Sequence, residues 1–547
     1  MADFQFLPPR GHRARPLALA LLVITPFFFG LLAVALGQDA NWDLRNYHWY
    51  NAYAFLNNRY GQDLLPSQTP YFYNPALDVP FFLLASHVPA RMAGFVLGAV
   101  QGCNFILLFF LAHAGLALRD AWRRLGASGA LALLGMLGGG GIALLGTTFY
   151  DNVTSLGFFM SVLLVLRFRD RLFGAAPLRA FFYALLFGLP CGLMVGFKLP
   201  SVIFAVGGCF GIFFLGGPFR RRFFLSFAFG AGVLAGAAVS LGPWAWHLQT
   251  HFGSPLFPYF NDIFKSPLAP AVSARDVQFL PRSLLEYLTF PFVFAQDPKR
   301  VGEISWQDWR LPILYLLLPL AAVAHCVSGR RYTKSMAVPD AAAYLLAVGA
   351  ISYGVWLMMF SIYRYAIPLE MLAPLLIVLA AGLVPAKLWL QVMLSICLLL
   401  AIAVTIQPGN WGRRASWLDR FVEVQIPPLS DTDNLMILMI GFEPYSHVIS
   451  EFPPDIAFVR VQSNFASPDQ NKGINAMIRA RVEGHTGRYM VLLPSWQLGL
   501  AEDALAVFNL EIIGRSCQTV IDRLYDSDRS RGGSPLSLCN VEPLKMD

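Results

Sequence analysis

The residue types best suited to chemistry gather in one stretch, Asn41-Trp42-Asp43-Leu44-Arg45-Asn46-Tyr47-His48-Trp49-Tyr50-Asn51, just after a long apolar block. Aromatic side chains with polar tips favour the membrane–water interface. A helix lying in that plane puts Asp43, Asn46, Tyr47 and Tyr50 on one face, at i, i+3, i+4 and i+7. A purely structural reading makes the stretch an interfacial anchor with Asp43 as a helix N-cap. That accounts for the aromatics. It accounts less well for a carboxylate and a histidine crowded among Asn41, Asn46 and Asn51, because ionisable groups at membrane depth are costly and usually functional.

Other candidates lie further along the chain. Gln68-Thr69-Pro70-Tyr71-Phe72-Tyr73-Asn74-Pro75-Ala76-Leu77-Asp78 reads either as a rigid interfacial turn set by Pro70 and Pro75 or as a substrate-lining segment. Asp151, in Tyr150-Asp151-Asn152, is a helix cap or a site carboxylate. Lys198, in Gly196-Phe197-Lys198-Leu199-Pro200, and Arg364, in Ser361-Ile362-Tyr363-Arg364-Tyr365, both fall at outer ends of apolar blocks, against the charge bias of membrane proteins. Snorkelling to lipid headgroups is the plain explanation; a phosphate partner is the sharper one, for which Arg is especially suited. The stretch from Trp244 through His247 and His251 to Tyr259 and Asn261 is too apolar for a free loop and is expected to fold back on the membrane surface. No P-loop, GxGxxG, HExxH or paired CxxC pattern occurs. ATP-driven pumping is therefore disfavoured, and no cofactor is indicated beyond a divalent cation for which Asp43 and Asp151 are candidate ligands.

The elements that must position these residues are set by composition. Of 547 residues 56% are hydrophobic and 14% charged, against about 25% charged in soluble domains. Apolar blocks of about 20 residues, the length of a spanning helix, recur from residue 17 to 407. In hydrocarbon every backbone polar group must be paired internally, so the blocks are expected to be helices. The net charge of +8 comes from short basic clusters between blocks, which set topology and do not indicate nucleic-acid binding. Arg10, Arg13 and Arg15 precede a first span at 17–36 that is expected to stay uncleaved. With the N-terminus inside, the walk meets inner clusters at Arg119, Arg123 and Arg124; at Arg167 to Arg179; at Arg220 to Arg222; at Arg330, Arg331 and Lys334; and at Lys387. It predicts about eleven spans, among them 130–147, 153–166 and 201–216, each judged against the bilayer thickness.

The expected organisation is an all-α transmembrane domain over 1–407, with outer loops 37–91 and 243–310, continued by a soluble outer α/β domain over 408–547. In that tail, 435–440 and 489–493 read as buried strands, and 475–483 and 501–508 as helices. Cys517 and Cys539 either pair, as an oxidising compartment permits, or remain two buried thiols.

The order of these features resembles the GT-C superfamily of membrane glycosyltransferases, which take sugars from polyprenyl phosphates. The resemblance runs over most of 17–383. It rests on Asp43 after the first span, the aromatic segment, the Tyr71–Pro75 return, Asp151, the Lys-Leu-Pro at Lys198, the long outer loop, Arg-Tyr-x-x-Pro at Arg364, Tyr365 and Pro368, and the outer C-terminal domain. Several GT-C members carry paired acids where this chain has Asp43-Leu44. The resemblance implies inverting transfer from a polyprenyl-phosphate sugar to a hydroxyl of a glycan, lipid or protein acceptor. Asp43 is then the base, with Arg364 and Lys198 on the leaving phosphate. Tyr47, His48 and Tyr50 would position sugar, Asn74 would line the substrate, and Asp78 and Asp151 would bind acceptor or metal. It also implies an inner-membrane protein with cytoplasmic N-terminus and extracytoplasmic C-terminal domain. Two other readings compete. O-antigen ligases and polymerases use the same donors but place their large outer loop late in the chain. Transporters tend to show related halves and polar residues at mid-membrane, neither of which is visible here.

Overall fold

The computed structural model describes residues 13–272, 276–328, 335–514, 516–524 and 535–544. Arg10, Arg330, Arg331 and Lys334 lie outside them. The chain divides into two compact units, each discontinuous in sequence. The first comprises Met1–Ala35, Phe95–Gly242 and Asp276–Trp411; the second comprises Leu36–Gly94, Pro243–Arg275 and Gly412–Asp547.

The first unit is helical. Counting the helices that run on into the second unit, eight described helices are long and apolar enough to cross a membrane, from Ala14–Leu36 to Leu388–Thr405. Their outward faces are greasy: Val23, Leu234 and Val404 are 75%, 73% and 81% exposed. Water would not tolerate such surfaces on this scale, whereas lipid matches them. The chain is a multi-pass membrane protein. Tyr363–Ala381 is the central span, with 89% of its apolar window buried.

Three segments expected as spans lie in helices shorter than those eight. Residues 153–166 lie in Asp151–Arg167, of 17 residues, and 201–216 in the short helix Leu199–Phe214. The stretch 130–147 breaks into Ala121–Met136 and Gly139–Ala143. The physical cause of that break is the run Gly138-Gly139-Gly140-Gly141, whose amides turn to side-chain acceptors. Asp308 Oδ2 accepts from Gly139 N at 3.0 Å, and Glu370 takes Gly140 N at 3.1 Å and Gly141 N at 2.7 Å. Arg310 Nε binds Asp308 at 2.9 Å and its Nη1 donates to the Glu370 carbonyl at 2.9 Å. All three side chains are fully buried, so this broken helix depends on a charged network inside the bundle.

Helix Pro177–Phe197 packs closely on Phe219–Phe252 through Gly188, Gly192 and Gly232. A Cβ at any of them would collide with the carbonyls of Phe229, Val233 or Leu185. This small-residue packing fixes the end of Pro177–Phe197, where Lys198 emerges.

In the second unit, β1 (Gln38–Asp39) pairs antiparallel with β2 (Arg413–Arg414). A seven-stranded sheet contains β3 (Val424–Gln425), β4 (Leu435–Ile440), β5 (Ala457–Gln462), β6 (Arg488–Pro494), β7 (Leu510–Ile512), β8 (Gln518–Asp522) and β9 (Leu536–Pro543), in the order β3-β8-β9-β6-β4-β5, with β7 also on β9. Strands β4, β5 and β6 are parallel, and β4 and β6 hold the expected apolar runs; the 3-10 turn Ser446–Glu451 joins β4 to β5, helix Ile474–Glu483 joins β5 to β6, and Leu498–Ala506 leads from β6 to β7. Cys517 and Cys539 are disulfide-bonded.

The free edge of β5 is covered by residues 59–66. Leu64 forms a parallel bridge with Val459, its amide donating to the Phe458 carbonyl at 2.8 Å. Arg59 grips Asp63 with two bonds of 2.7 and 2.9 Å and also donates to the carbonyls of Pro454 and Ile456. An exposed strand edge is a liability for aggregation, and here residues 59–66 close it.

Candidate active site

Each unit holds one cluster of the predicted residues. In the second unit the helix begins at Asn41, whose Oδ1 accepts from Leu44 N at 2.8 Å; Asn41 is itself held by Asp39 at 2.6 Å. Asp43 makes no capping bond, so the expected N-cap role falls to Asn41. It is half-buried, not turned into open solvent, and accepts from the Tyr47 hydroxyl at 3.0 Å.

Leu44–His48 forms a π turn before the α-helix Trp49–Leu56. Such turns are rare and recur at functional sites. An extra residue in the turn rotates every later side chain by about 100° against a regular helix, and the single-face expectation fails for that reason. Asp43 and Tyr47 stay together. Asn46 instead bonds the Ser67 carbonyl at 3.2 Å. Tyr50, fully buried, donates to Asp63 at 2.8 Å; burial and the Asp63 charge push its phenol well above the ordinary range, so it remains a donor. Tyr50 thus anchors the clamp under the sheet edge and stands apart from Asp43.

Around Asp43 the wall is aromatic. The Tyr47 ring lies 4.0 Å from that of His48 and 5.3 Å from that of Tyr73. The Tyr73 and Tyr259 hydroxyls meet at 2.8 Å. His48 Nδ1 is 2.7 Å from Asp78 Oδ1, both nearly buried. Asn74 accepts from Ala76 N at 3.1 Å and so caps the turn Pro75–Leu77. Tyr259 is the partner that sequence reasoning missed. Its signal was the aromatic density of its loop, but nothing in the sequence ties residue 259 to residue 73.

In the first unit Asp151, Lys198 and Arg364 converge on Phe149. Lys198 Nζ reaches Asp151 Oδ1 and the Phe149 carbonyl, each at 2.7 Å, and lies 5.4 Å from the Tyr365 ring. The half-buried Arg364 guanidinium stacks 4.3 Å over the Phe149 ring. Asp151 opens helix Asp151–Arg167, Lys198 closes Pro177–Phe197, and Arg364 sits on the turn Tyr363–Ala366. Lys198 is paired with Asp151, while the Arg364 guanidinium lies on the Phe149 ring.

Among the described residues no group of three or more His, Cys, Asp or Glu is arranged to hold a metal ion. Asp151 pairs with Lys198, and Asp43 accepts from the Tyr47 hydroxyl.

No protein-family model and no curated protein matches the chain. Among solved structures it is similar to the crystal structure of the Archaeoglobus fulgidus oligosaccharyltransferase in the apo form. The match has 12% sequence identity and a TM-score of 0.44, covering 90% of this chain and 71% of that one.

Proposed function

We propose that the chain is a membrane glycosyltransferase that moves a sugar from a polyprenyl-phosphate donor to an acceptor hydroxyl on the extracytoplasmic face, with inversion at the anomeric carbon. The observation that carries this reading is Asp43: a half-buried carboxylate, relieved of capping duty by Asn41, aligned by Tyr47 and walled by tyrosines.

In this mechanism the acceptor oxygen forms a bond to the anomeric carbon while its proton passes to Asp43. The bond from that carbon to the phosphate oxygen breaks, and its electron pair leaves with polyprenyl phosphate. The leaving group is already a weak base and needs charge stabilisation more than a proton. Arg364 supplies it, and Lys198, held by Asp151, shapes the surrounding field. Tyr47 and His48 position the sugar. The acceptor is a glycan, lipid or protein hydroxyl. The membrane is the cell's inner membrane, with the N-terminus cytoplasmic.

The direct test incubates the purified protein with a panel of polyprenyl-phosphate sugars and monitors released polyprenyl phosphate. Release that depends on an added acceptor is expected. No release from any donor, with the protein folded, would refute the assignment.

A further inference from the structure

The first unit has a second polar concavity, away from residues 149–151, at the end where two arginine-rich turns meet. Arg221 joins the turns: its Nε donates to the Leu172 carbonyl at 3.0 Å and its Nη2 to the Ala175 carbonyl at 2.7 Å. Arg169 bonds the Gly216 carbonyl at 3.4 Å and pairs with Asp340 at 2.5 Å and Asp170 at 3.3 Å. Between them lies a cavity of about 440 Å³ lined by Arg169, Phe173, Gly216, Gly217, Pro218 and Arg221. Buried Nε–H groups of Arg169 and Arg222 meet no acceptor among the described residues.

Charge and shape both point one way. Residues 167–179 and 216–222 carry seven arginines, and the carboxylates of Asp170 and Asp340 both pair with Arg169. Arg221 spends its bonds on neutral carbonyls and keeps its full charge. Phe219 and Phe223 on the helix of Arg221, and Leu178, Phe182 and Phe214 on the stretches adjoining the two turns in sequence, are exposed large apolar side chains. A guanidinium-lined hollow bordered by lipid-facing aromatics suits an amphiphile with a phosphate head and acyl tails.

We propose that this cavity is a binding site for the phosphodiester headgroup of an anionic glycerophospholipid, whose chains lie along Phe182, Phe219 and Phe223. The planar guanidiniums would grip the phosphate oxygens, as Arg does more specifically than Lys. The site is independent of the transferase reading and survives its failure.

The test measures thermal unfolding of the full chain in a zwitterionic detergent on addition of phosphatidylglycerol, phosphatidylcholine or inorganic phosphate. A ligand of the folded state raises the unfolding temperature as its concentration rises. The expected result is an upward shift with phosphatidylglycerol that exceeds that with phosphatidylcholine. It should be absent with inorganic phosphate, lost in Arg169→Gln/Arg221→Gln, and kept only in part in Arg169→Lys/Arg221→Lys. Equal shifts with the two lipids, an equal shift with inorganic phosphate, or an unchanged response in the glutamine variant would overturn the proposal. If the glutamine variant does not fold, the three additives on the unsubstituted chain decide it.

Discussion

The Tyr47 hydroxyl donates to Asp43 Oδ2 at 3.0 Å across a single π turn, so the orientation of this carboxylate is set from within the helix that carries it. Asp43→Asn should keep the protein folded and inserted yet cut transfer by about 100-fold or more, the scale of general-base removal. Tyr47→Phe should cost less, about tenfold, the worth of one hydrogen bond to a charged group. Single-turnover rates of the two variants check this. Equal losses in both, or near-normal turnover in the asparagine variant, would take Asp43 out of the role of base.

Arg364 stacks on Phe149 while Lys198 is tied to Asp151, so the two cations should not be equivalent. Arg364→Ala is expected to weaken donor use at least tenfold, the loss of a charge-assisted phosphate contact. Arg364→Lys should restore it only in part, because the planar fork is gone. Steady-state rates against donor concentration give the answer, with unchanged donor dependence as the contrary outcome.

Lys198→Met removes the cation paired with the nearly buried Asp151 carboxylate and should cost roughly 3 kcal/mol of stability, as breaking a buried pair does. The double variant Lys198→Met/Asp151→Asn should regain most of it. Denaturant unfolding in detergent measures both, and a double variant no better than the single one would show that the pair does not carry the cost.

The Arg59–Asp63 clamp gives a parallel case outside the spans. Asp63→Ala leaves a buried guanidinium without its carboxylate and Tyr50 without its acceptor; a loss of roughly 3–5 kcal/mol is expected. Faster proteolysis around residues 59–66 would accompany it, since that segment loses its hold on the edge of β5.

Acid should weaken the second unit through Glu423. Partial burial pushes its carboxyl up, but the amides of Arg420 and Asp419 and the Arg523 guanidinium outweigh that, and its folded value is lowered. A carboxyl with a lowered folded value contributes stability above its unfolded value, about 4.3. That contribution disappears as pH falls through the folded value. Glu423→Gln should therefore flatten the acid limb of a stability profile below about pH 4.3 and leave its slope near neutrality unchanged. An acid limb as steep as that of the unsubstituted chain would place the effect elsewhere.

Much of this protein was legible in its residues because a bilayer leaves few choices. Long apolar runs must be helices where no water can satisfy the backbone, and the buried strands of β4 and β6 are marked by short apolar runs between Gly and Pro. Asp43, Tyr47, Lys198 and Arg364 stood out because polar groups are costly where they sit. The tertiary structure alone decided which partners those groups hold. The π turn sent Tyr50 to Asp63 and kept Tyr47 on Asp43. Glu370 and Asp308 broke a span at Gly138 by offering acceptors from more than 160 residues away. Lys198 proved to be the partner of Asp151. Local sequence sets where a polar group emerges from a helix, but its hydrogen-bond partner is chosen by packing between segments far apart in the chain, and hydrophobic pattern carries no record of that choice.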